Sequence, residues 1–313
     1  MTLEILKSGP QTTIQAAPRV GQRHLGVPYS GPADPLSMAL ANRLVGNESY
    51  APALEATLGG LSLRFGSPAF FAITGATAHA RLADRPLQHH RTIQADAGEE
   101  LHVGPATLGA RVYLAFAGGL QAETILGSSS TYLPAKLGGH EGRSLVIGDR
   151  LSVNHHDWSA DNHETPREFQ PPLSTSWAIR ACDAAETGLL RDRRQLFDRN
   201  FRVASRCDRM GIMLEGPGID VNSDGGLASA PVFPGTVQCP DDGRPFLLSV
   251  DAQTTGGYAR VAQVARADRH LLGQIRPGDH VRLLWRDPQS AIKDLRSKLD
   301  YWCAWLDDIE LVI

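Results

Sequence analysis

The sequence predicts a mainly β chain with a few helices, organised as two β domains. The 313 residues include 31 glycines and 20 prolines, which interrupt the chain at short intervals. Such punctuation favours many short strands over long helices. The apolar runs between these breaks have the length of strands. A chain of this length also favours two domains over one.

Strands are predicted most clearly at residues 69–73, 111–116 and 280–285. Each of these segments is short, largely apolar and bounded by turn residues. Runs of this kind are typical of buried or half-buried strands.

Two of three predicted helices lie within the body of the chain. The first has Asp34 as its N-cap, Pro35 at its first position and Gly46 just past its end. Leucines recur on it every four residues, at Leu36, Leu40 and Leu44. This spacing predicts one inward face. A second helix is predicted near residues 187–198, where leucines and a phenylalanine are grouped.

The third helix lies at the C-terminal end. Asp287 is its predicted N-cap and Pro288 its first residue. An apolar stripe on it consists of Ile292, Leu295, Leu299 and Trp302. The stretch 154–174 is polar and lacks apolar periodicity, which is typical of a linker; a long surface loop inside one domain is the alternative. We therefore expect domains at 1–165 and 175–287, with a helical extension at 288–313.

Composition argues against several classes of function. The formal net charge is −3, and there is no basic tract interleaved with aromatics, so nucleic-acid binding is not expected. No apolar run approaches the roughly 18 residues that span a bilayer, and the N-terminal residues lack the layout of a signal peptide. The four cysteines form no CxxC pair, which fits a reducing compartment. Together these features predict a cytoplasmic protein.

Common catalytic motifs are missing from the sequence. There is no GxxxxGK[ST] phosphate loop and no GxSxG nucleophile elbow. Histidines are adjacent at His89 and His90, and neighbouring side chains do not converge on one ligand. We therefore expect no metal site.

One polar loop, at residues 250–258, combines hydrogen-bonding side chains with backbone freedom. An apolar run ends there in Asp251, followed by Gln253, Thr254, Thr255, Gly256, Gly257 and Tyr258. Paired glycines allow a ligand or another backbone to approach closely. The loop either reads a ligand or forms a hairpin whose own side chains satisfy its turn.

Further polar clusters supply candidate binding residues. Ser30 lies in the glycine-rich approach to the first helix, where Asp34 is interpreted as a cap. Arg143 either clamps a carboxylate or braces its own loop, and Arg209 has the same two interpretations. Gln238 and Gln274 lie in two other such clusters.

Ten sequence pieces carry a family resemblance. They are LGVPYSGPADPLSMALANRLVGN, ALEATLGG, ITGA, VYLAFAGGL, LGSSST, LGGHEGRSLVIGD, DRMGIMLEG, FPGTVQ, DAQTTGGY and IRPGD. In this order they resemble the biotin-dependent carboxyltransferase family that includes the C subunit of bacterial 5-oxoprolinase, the KipA regulator and allophanate hydrolase subunit 2. The sequence departs from the family pattern at residues 16–18 and 184–186.

The resemblance implies a fold, partners and co-substrates. It implies a cyclophilin-like β-barrel in the C-terminal half, after a first β domain. It also implies a KipI-like B-type partner (similar to allophanate hydrolase subunit 1) and an A-type subunit similar to LamB/YcsF. No cofactor is expected to bind firmly to this chain. The complex would use ATP, or carboxybiotin if it transfers a carboxyl group.

Three functions follow from the resemblance. The first is a subunit of an ATP-dependent amidohydrolase that opens 5-oxoproline or a related small lactam. The others are a carboxyltransferase component with a urea-like acceptor, and a non-catalytic regulator similar to KipA. Asp251 and Tyr258 are the candidates for proton transfer. The candidates for substrate binding are Ser30, Arg143, Arg209, Gln238, Gln253, Thr254, Thr255, Gly256, Gly257 and Gln274.

Overall fold

The chain divides into two compact units in a computed structural model that describes residues 1–155, 163–222 and 227–313. The first unit comprises Met1–Val20, Ser30–Leu173 and Trp302–Val312. The second comprises Gly21–Tyr29, Ser174–Tyr301 and Ile313. Part of the predicted linker at 154–174 lies outside the described residues.

The first unit is built on one curled antiparallel sheet. Its strands are β1 (Thr2–Ser8), β2 (Gln11–Gln15), β3 (Ala53–Thr57), β4 (Leu61–Phe65), β5 (Ala69–Leu82), β6 (Arg85–Leu87), β7 (Thr92–Ala95), β8 (Glu100–Phe116) and β9 (Arg150–Ser152). The main path runs β2-β3-β8-β4-β1-β9, and β5 pairs with β6, β7 and β8. Register shifts between β5 and β8 bend these long strands. A core forms around Phe65, Phe71 and Phe116, whose ring centroids lie 5.2–6.4 Å apart.

The second unit contains a closed β-barrel. Its strands are β10 (Ser176–Cys182), β11 (Asn200–Cys207), β12 (Gly211–Glu215), β14 (Thr236–Cys239), β15 (Phe246–Leu248), β17 (Ala259–Val264) and β18 (His280–Trp285). They follow the order β10-β17-β14-β15-β12-β11-β18, and β18 pairs with β10 in parallel, which closes the barrel. Beside it, β13 (Ala230–Pro231) pairs with β16 (Thr255–Gly256). The prediction of a mainly β chain with a barrel in its C-terminal half is confirmed.

The first predicted helix is confirmed as α1 (Pro35–Leu44). The Asp34 carboxylate accepts a hydrogen bond from the Ser37 backbone N–H at 3.1 Å, which caps the helix. The three leucines of the predicted inward face are fully buried. The three predicted strands are also present, within β5, within β8 and as β18.

The prediction of one continuous helix near residues 187–198 was wrong. Residues 187–198 hold a short 3-10 turn, Thr187–Leu189, and then the four-residue helix α2 (Arg194–Phe197). Between them, the Arg191 backbone N–H donates to the Asp220 carbonyl at 3.1 Å, and the Asn222 N–H donates to the Leu189 carbonyl at 2.8 Å. These hydrogen bonds to residues 220–222, which are distant in the sequence, use backbone groups that a continuous helix would need.

The C-terminal helix α3 (Pro288–Trp302) starts where it was predicted, with the Asp287 carboxylate accepting from the Ser290 N–H at 2.9 Å. The predicted stripe was wrong for Ile292, which is 51% exposed. Charged contacts hold a different face of the helix: Asp294 binds Arg180 at 3.1 Å, and Lys298 donates to the Ala267 carbonyl at 2.7 Å. A last helix, α4 (Ile309–Val312), follows. In the described residues, no helix has the length and apolar character needed to cross a membrane.

Candidate functional site

The polar loop identified from the sequence connects β15 to β17 on the barrel unit. Within it, Thr255 and Gly256 form β16, which pairs with Pro231 and Ala230 of β13. The Thr254 carbonyl accepts from the Val232 N–H at 3.1 Å. An added Cβ on Gly257 would lie 3.1 Å from the Leu227 carbonyl, so the backbones approach closely here. The loop is thus a firmly paired segment, and its glycines serve close packing.

Asp251 lies at the start of the loop in a buried ion pair with Arg209. The Nε atom of Arg209 is 2.7 Å from Oδ2 of Asp251, and Nη2 is 3.1 Å from Oδ1. The two residues are 4% and 2% exposed, respectively. The Asp251 N–H also donates to the Arg209 carbonyl at 2.9 Å. Asp251 and Arg209 therefore hold the β15–β17 loop against the turn between β11 and β12.

Three of the predicted site residues line a common cavity at one face of the barrel. This cavity has a volume of about 380 Å³, and Gln238, Gln253 and Tyr258 contribute to its wall. Gln238 extends from β14 and is buried, whereas Tyr258 is 53% exposed. The strand order β14-β15-β12-β11 brings together residues that are far apart in the sequence.

Two glutamine side chains form the polar centre of this cavity. Nε2 of Gln253 donates to Oε1 of Gln238 at 2.9 Å. Nε2 of Gln238 is buried and has no hydrogen-bond partner among the described residues. An added Cβ on Gly256 would come within 2.6 Å of this nitrogen, so the glycine makes room for it. A buried amide donor without a partner is costly, and a ligand or water that accepts from it relieves that cost.

Sequence reasoning missed other residues of the cavity wall. Arg206, Met213 and Phe246 line it, with the Arg206 guanidinium 5.7 Å from the Phe246 ring centroid. Across the described residues, Arg206 has no ion pair. Asp242 and Arg244 also line the cavity and pair with each other at 2.8 Å. Nothing local in the sequence marks Arg206, because its neighbours in the cavity come from other strands.

Ser30, Arg143 and Gln274 are not among the residues that line this cavity. Ser30 and Arg143 belong to the first unit. Ser30 is buried and adopts a φ of 53°, and its Oγ has no hydrogen-bond partner in the described parts of the chain. Arg143 binds Asp149 at 2.7 Å and Glu141 at 2.8 Å, so it braces its own loop. Gln274 is buried at the end of the 3-10 helix Arg266–Gln274.

Neither a reactive thiol nor a metal centre is evident at this site. Burial raises the pKa of the Cys239 thiol, beside Gln238, to about 12, which keeps it protonated at neutral pH. In residues 1–155, 163–222 and 227–313, no three His, Cys, Asp or Glu side chains are grouped as metal ligands.

Comparison with known proteins establishes the family. Residues 25–285 match the family described as carboxyltransferase domain, subdomain A and B. The chain belongs to this family. The resemblance found in the sequence is thereby confirmed.

Relatives within the carboxyltransferase-domain family include whole subunits. The chain is 36% identical to the C subunit of 5-oxoprolinase from Escherichia coli K12 over 309 residues, which is 97% of this chain and 98% of that protein. It is 33% identical to the C subunit of 5-oxoprolinase from Haemophilus influenzae over 314 residues, or 99% and 98% of the two chains.

A solved structure of the family shares the fold closely. The crystal structure of K. lactis urea amidolyase superposes with a TM-score of 0.90 at 30% identity, covering 96% of this chain. The match covers 20% of the urea amidolyase chain. This chain is therefore similar to one segment of that larger protein and to the full length of the 5-oxoprolinase subunits.

Proposed function

We propose that this chain is a subunit of an ATP-dependent amidohydrolase complex that opens 5-oxoproline or a related small lactam. The proposal rests first on the Gln238–Gln253 amide pair in the cavity of the barrel unit. It is supported by the near-complete length match to the C subunits of two bacterial 5-oxoprolinases. ATP is a co-substrate of the complex in this proposal, and the chain itself holds no firmly bound cofactor.

The hydrogen-bonding groups of the amide pair complement those of a lactam. A lactam presents an N–H donor and a carbonyl acceptor on the same edge. Gln253 uses one amide hydrogen on Gln238, which leaves its carbonyl oxygen to accept from the lactam N–H. Nε2 of Gln238 is buried and has no partner in the described residues, so in this proposal the side chain turns towards the cavity and this amide donates to the lactam carbonyl. A donor aimed at this oxygen also stabilises the negative charge that develops when the carbonyl is attacked.

Arg206 is a cationic side chain at the cavity wall, which Arg244, Asp208 and Asp242 also line. Its guanidinium lies on the Phe246 ring at the cavity wall and carries no ion pair among the described residues. The fork of an arginine matches the geometry of a carboxylate. We assign to Arg206 the carboxylate of 5-oxoproline, which a plain lactam lacks.

The two residues predicted for proton transfer receive different roles in this proposal. Tyr258 is exposed at the cavity wall, where its hydroxyl can reach a bound ligand. Asp251 is engaged with Arg209 on both carboxylate oxygens. We assign Tyr258 to substrate contact or proton transfer and Asp251 to holding the loop in place.

Carboxyl transfer is the second candidate function. It is favoured by the fold match to urea amidolyase, with a TM-score of 0.90. In that case carboxybiotin would be the donor and a urea-like amide the acceptor. Urea also presents donors and an acceptor to the two glutamines, so the cavity suits both substrates. The carboxylate assigned to Arg206 is what separates them, because urea has none.

Reconstitution with partner subunits tests the proposal. The full chain is mixed with a B-type partner and an A-type subunit, and ATP hydrolysis is measured with 5-oxoproline, 2-pyrrolidone or no lactam. We expect hydrolysis to depend on 5-oxoproline and on the presence of all subunits. A complete complex whose ATP hydrolysis does not respond to any lactam contradicts the proposal. Carboxylation of urea by free carboxybiotin would instead support the second candidate.

A further inference from the structure

Two pairs of oppositely charged side chains line the cavity of the barrel unit, and only one of them is an ion pair. Asp242 and Arg244 are two residues apart and bind each other at 2.8 Å. Arg206 and Asp208 are also two residues apart, so their Cα atoms are at most about 7 Å from each other. In the described residues no ion pair joins these two. The cavity wall therefore has a cation and an anion, close together in the chain, that do not bind each other.

Local contacts hold both of these side chains in place. The Oδ1 atom of Asp208 accepts from the backbone N–H of Met210 at 2.7 Å and from that of Gly211 at 3.1 Å. The Asp208 N–H donates to the Gly211 carbonyl at 3.1 Å, which closes the turn between β11 and β12. The Arg206 guanidinium lies 5.7 Å from the centroid of the Phe246 ring. The Oδ2 atom of Asp208 makes no hydrogen bond within the described parts of the chain, so this oxygen is available to a ligand in the cavity.

The opening of a lactam changes the charge of its ring nitrogen. In the substrate this nitrogen belongs to an amide and is uncharged. Overall, hydrolysis breaks its bond to the carbonyl carbon, and water supplies the hydroxyl of the new carboxylic acid and a proton to the nitrogen. At neutral pH the acid releases a proton and the amine takes one up. The product of 5-oxoproline is therefore glutamate, in which an ammonium and a carboxylate lie on the same carbon.

We propose that Asp208 binds the ammonium group that forms when the lactam opens, so that the cavity holds the product as a zwitterion. This assignment rests on the proposed lactam hydrolysis and adds a binding residue to the same cavity. Arg206 binds the carboxylate in substrate and product alike, and Asp208, two residues away, supplies the anion for the neighbouring ammonium. An ammonium has three donors, so it can bind the Gln253 carbonyl oxygen and Oδ2 of Asp208 together. Because a hydrogen bond between charged groups is stronger than one from an uncharged amide, Asp208 favours the opened form.

Calorimetric titration of the isolated full chain tests the role of Asp208 without turnover. The ligands are L-glutamate, 5-oxoproline and glutarate, which has the two carboxylates of glutamate but no ammonium. The variant Asp208→Asn keeps an oxygen that accepts from the turn and removes the charge, so folding should be retained. Asp198→Asn is the matched control, because it removes the same charge from an exposed position of the barrel unit outside the cavity wall.

We expect the unmodified chain to bind L-glutamate more tightly than glutarate. Asp208→Asn should weaken L-glutamate binding about tenfold or more, the effect of losing a hydrogen bond between charged groups. Binding of glutarate and 5-oxoproline should not weaken, because neither has an ammonium. Asp198→Asn should bind all three ligands as the unmodified chain does. The assignment is overturned if the unmodified chain shows no preference for L-glutamate over glutarate. It is also overturned if Asp208→Asn weakens all three ligands equally, since Asp208 would then only support its turn.

Two results separate a failure of this assignment from a failure of the proposed reaction. A reconstituted complex whose ATP hydrolysis depends on 5-oxoproline, combined with unchanged L-glutamate binding in Asp208→Asn, contradicts only the role of Asp208. A complex that responds to no lactam, combined with an L-glutamate preference that Asp208→Asn abolishes, contradicts only the proposed reaction.

Discussion

Arg209 and Asp251 form a buried, two-point ion pair that joins the β11–β12 turn to the polar loop of the barrel unit. The distances are 2.7 Å between Nε and Oδ2 and 3.1 Å between Nη2 and Oδ1. Two backbone bonds accompany the pair, from Asp251 N–H to the Arg209 carbonyl and from Ser249 N–H to the Met210 carbonyl. The ion pair and these two backbone bonds therefore hold the loop that carries Gln253 and Tyr258.

Asp251→Asn should destabilise the protein by about 3–5 kcal/mol, because it removes the carboxylate that neutralises the buried Arg209 charge. The free energy of unfolding in urea measures this. Asp242→Asn is the matched control, since the Asp242–Arg244 pair is about half exposed and should contribute less than about 1 kcal/mol. If Asp251→Asn unfolds at the same urea concentration as the unmodified chain but abolishes turnover, Asp251 acts in proton transfer and not as a support.

Gln253→Ala should reduce lactam-dependent turnover at least about a hundredfold, with little change in stability. The substitution removes one acceptor for the lactam N–H and releases the Gln238 amide, and polar substrate contacts of this kind discriminate strongly. Steady-state kinetics of the reconstituted complex measure the effect. Gln289→Ala, an exposed amide on α3, is the matched control. Unchanged turnover in Gln253→Ala would remove the amide pair from the mechanism.

The Arg143–Asp149 ion pair should make the stability of the first unit fall at acidic pH. Hydrogen bonds from Arg143 lower the pKa of Asp149 to about 2 from 3.8, and the Val146 N–H contributes as well. Since the folded-state pKa is depressed, the stabilisation is present above about pH 4 and is lost as the pH falls towards 2. After allowance for the exposure of Arg143, its size is about 1 kcal/mol.

Arg143→Gln and Asp149→Asn should both flatten this part of the stability profile. Unfolding free energies measured between pH 6 and pH 2 give the difference between each variant and the unmodified chain. A difference that stays constant across that range would show that the pair does not titrate with folding.

Local signals predicted part of this structure and long-range contacts decided the rest. Helix α1 was predictable because its cap, its first proline and its leucine spacing are all contained in a dozen residues. The segment 187–198 has similar apolar residues, but pairing of Leu189 and Arg191 with a distant stretch overrides its helical tendency. Ile292 was predicted to be on the buried face of α3 but is exposed, because the contacts of Asp294 with Arg180 and of Lys298 with Ala267 lie on a different face of the helix.

In the candidate site too, some residues were predictable from local sequence and others depend on long-range strand pairing. Gln238, Gln253 and Tyr258 were recognisable as polar residues in glycine-rich surroundings. Arg206 was not, because its position beside Phe246 depends on the order in which β11, β12 and β15 pair. The sequence likewise left open whether Arg143 binds a ligand or braces a loop, and the position of Asp149 favours the brace.

The substitution Gly256→Ala, which adds a single methyl group, should reduce turnover more than it reduces stability. A Cβ there would come within 2.6 Å of Nε2 of Gln238, which must then move and lose its alignment with Gln253. Because that nitrogen is the end of a side chain, we expect Gly256→Ala to cost roughly 1 kcal/mol of stability, at the low end for overpacking. Turnover should fall about tenfold or more, since small displacements of catalytic donors are costly. Gly218→Ala is the control, because an added Cβ there meets no atom within 4 Å. Urea unfolding and lactam-dependent ATP hydrolysis, measured on both variants, separate the two effects; equal turnover in the two would mean that the position of the Gln238 amide does not matter for the reaction.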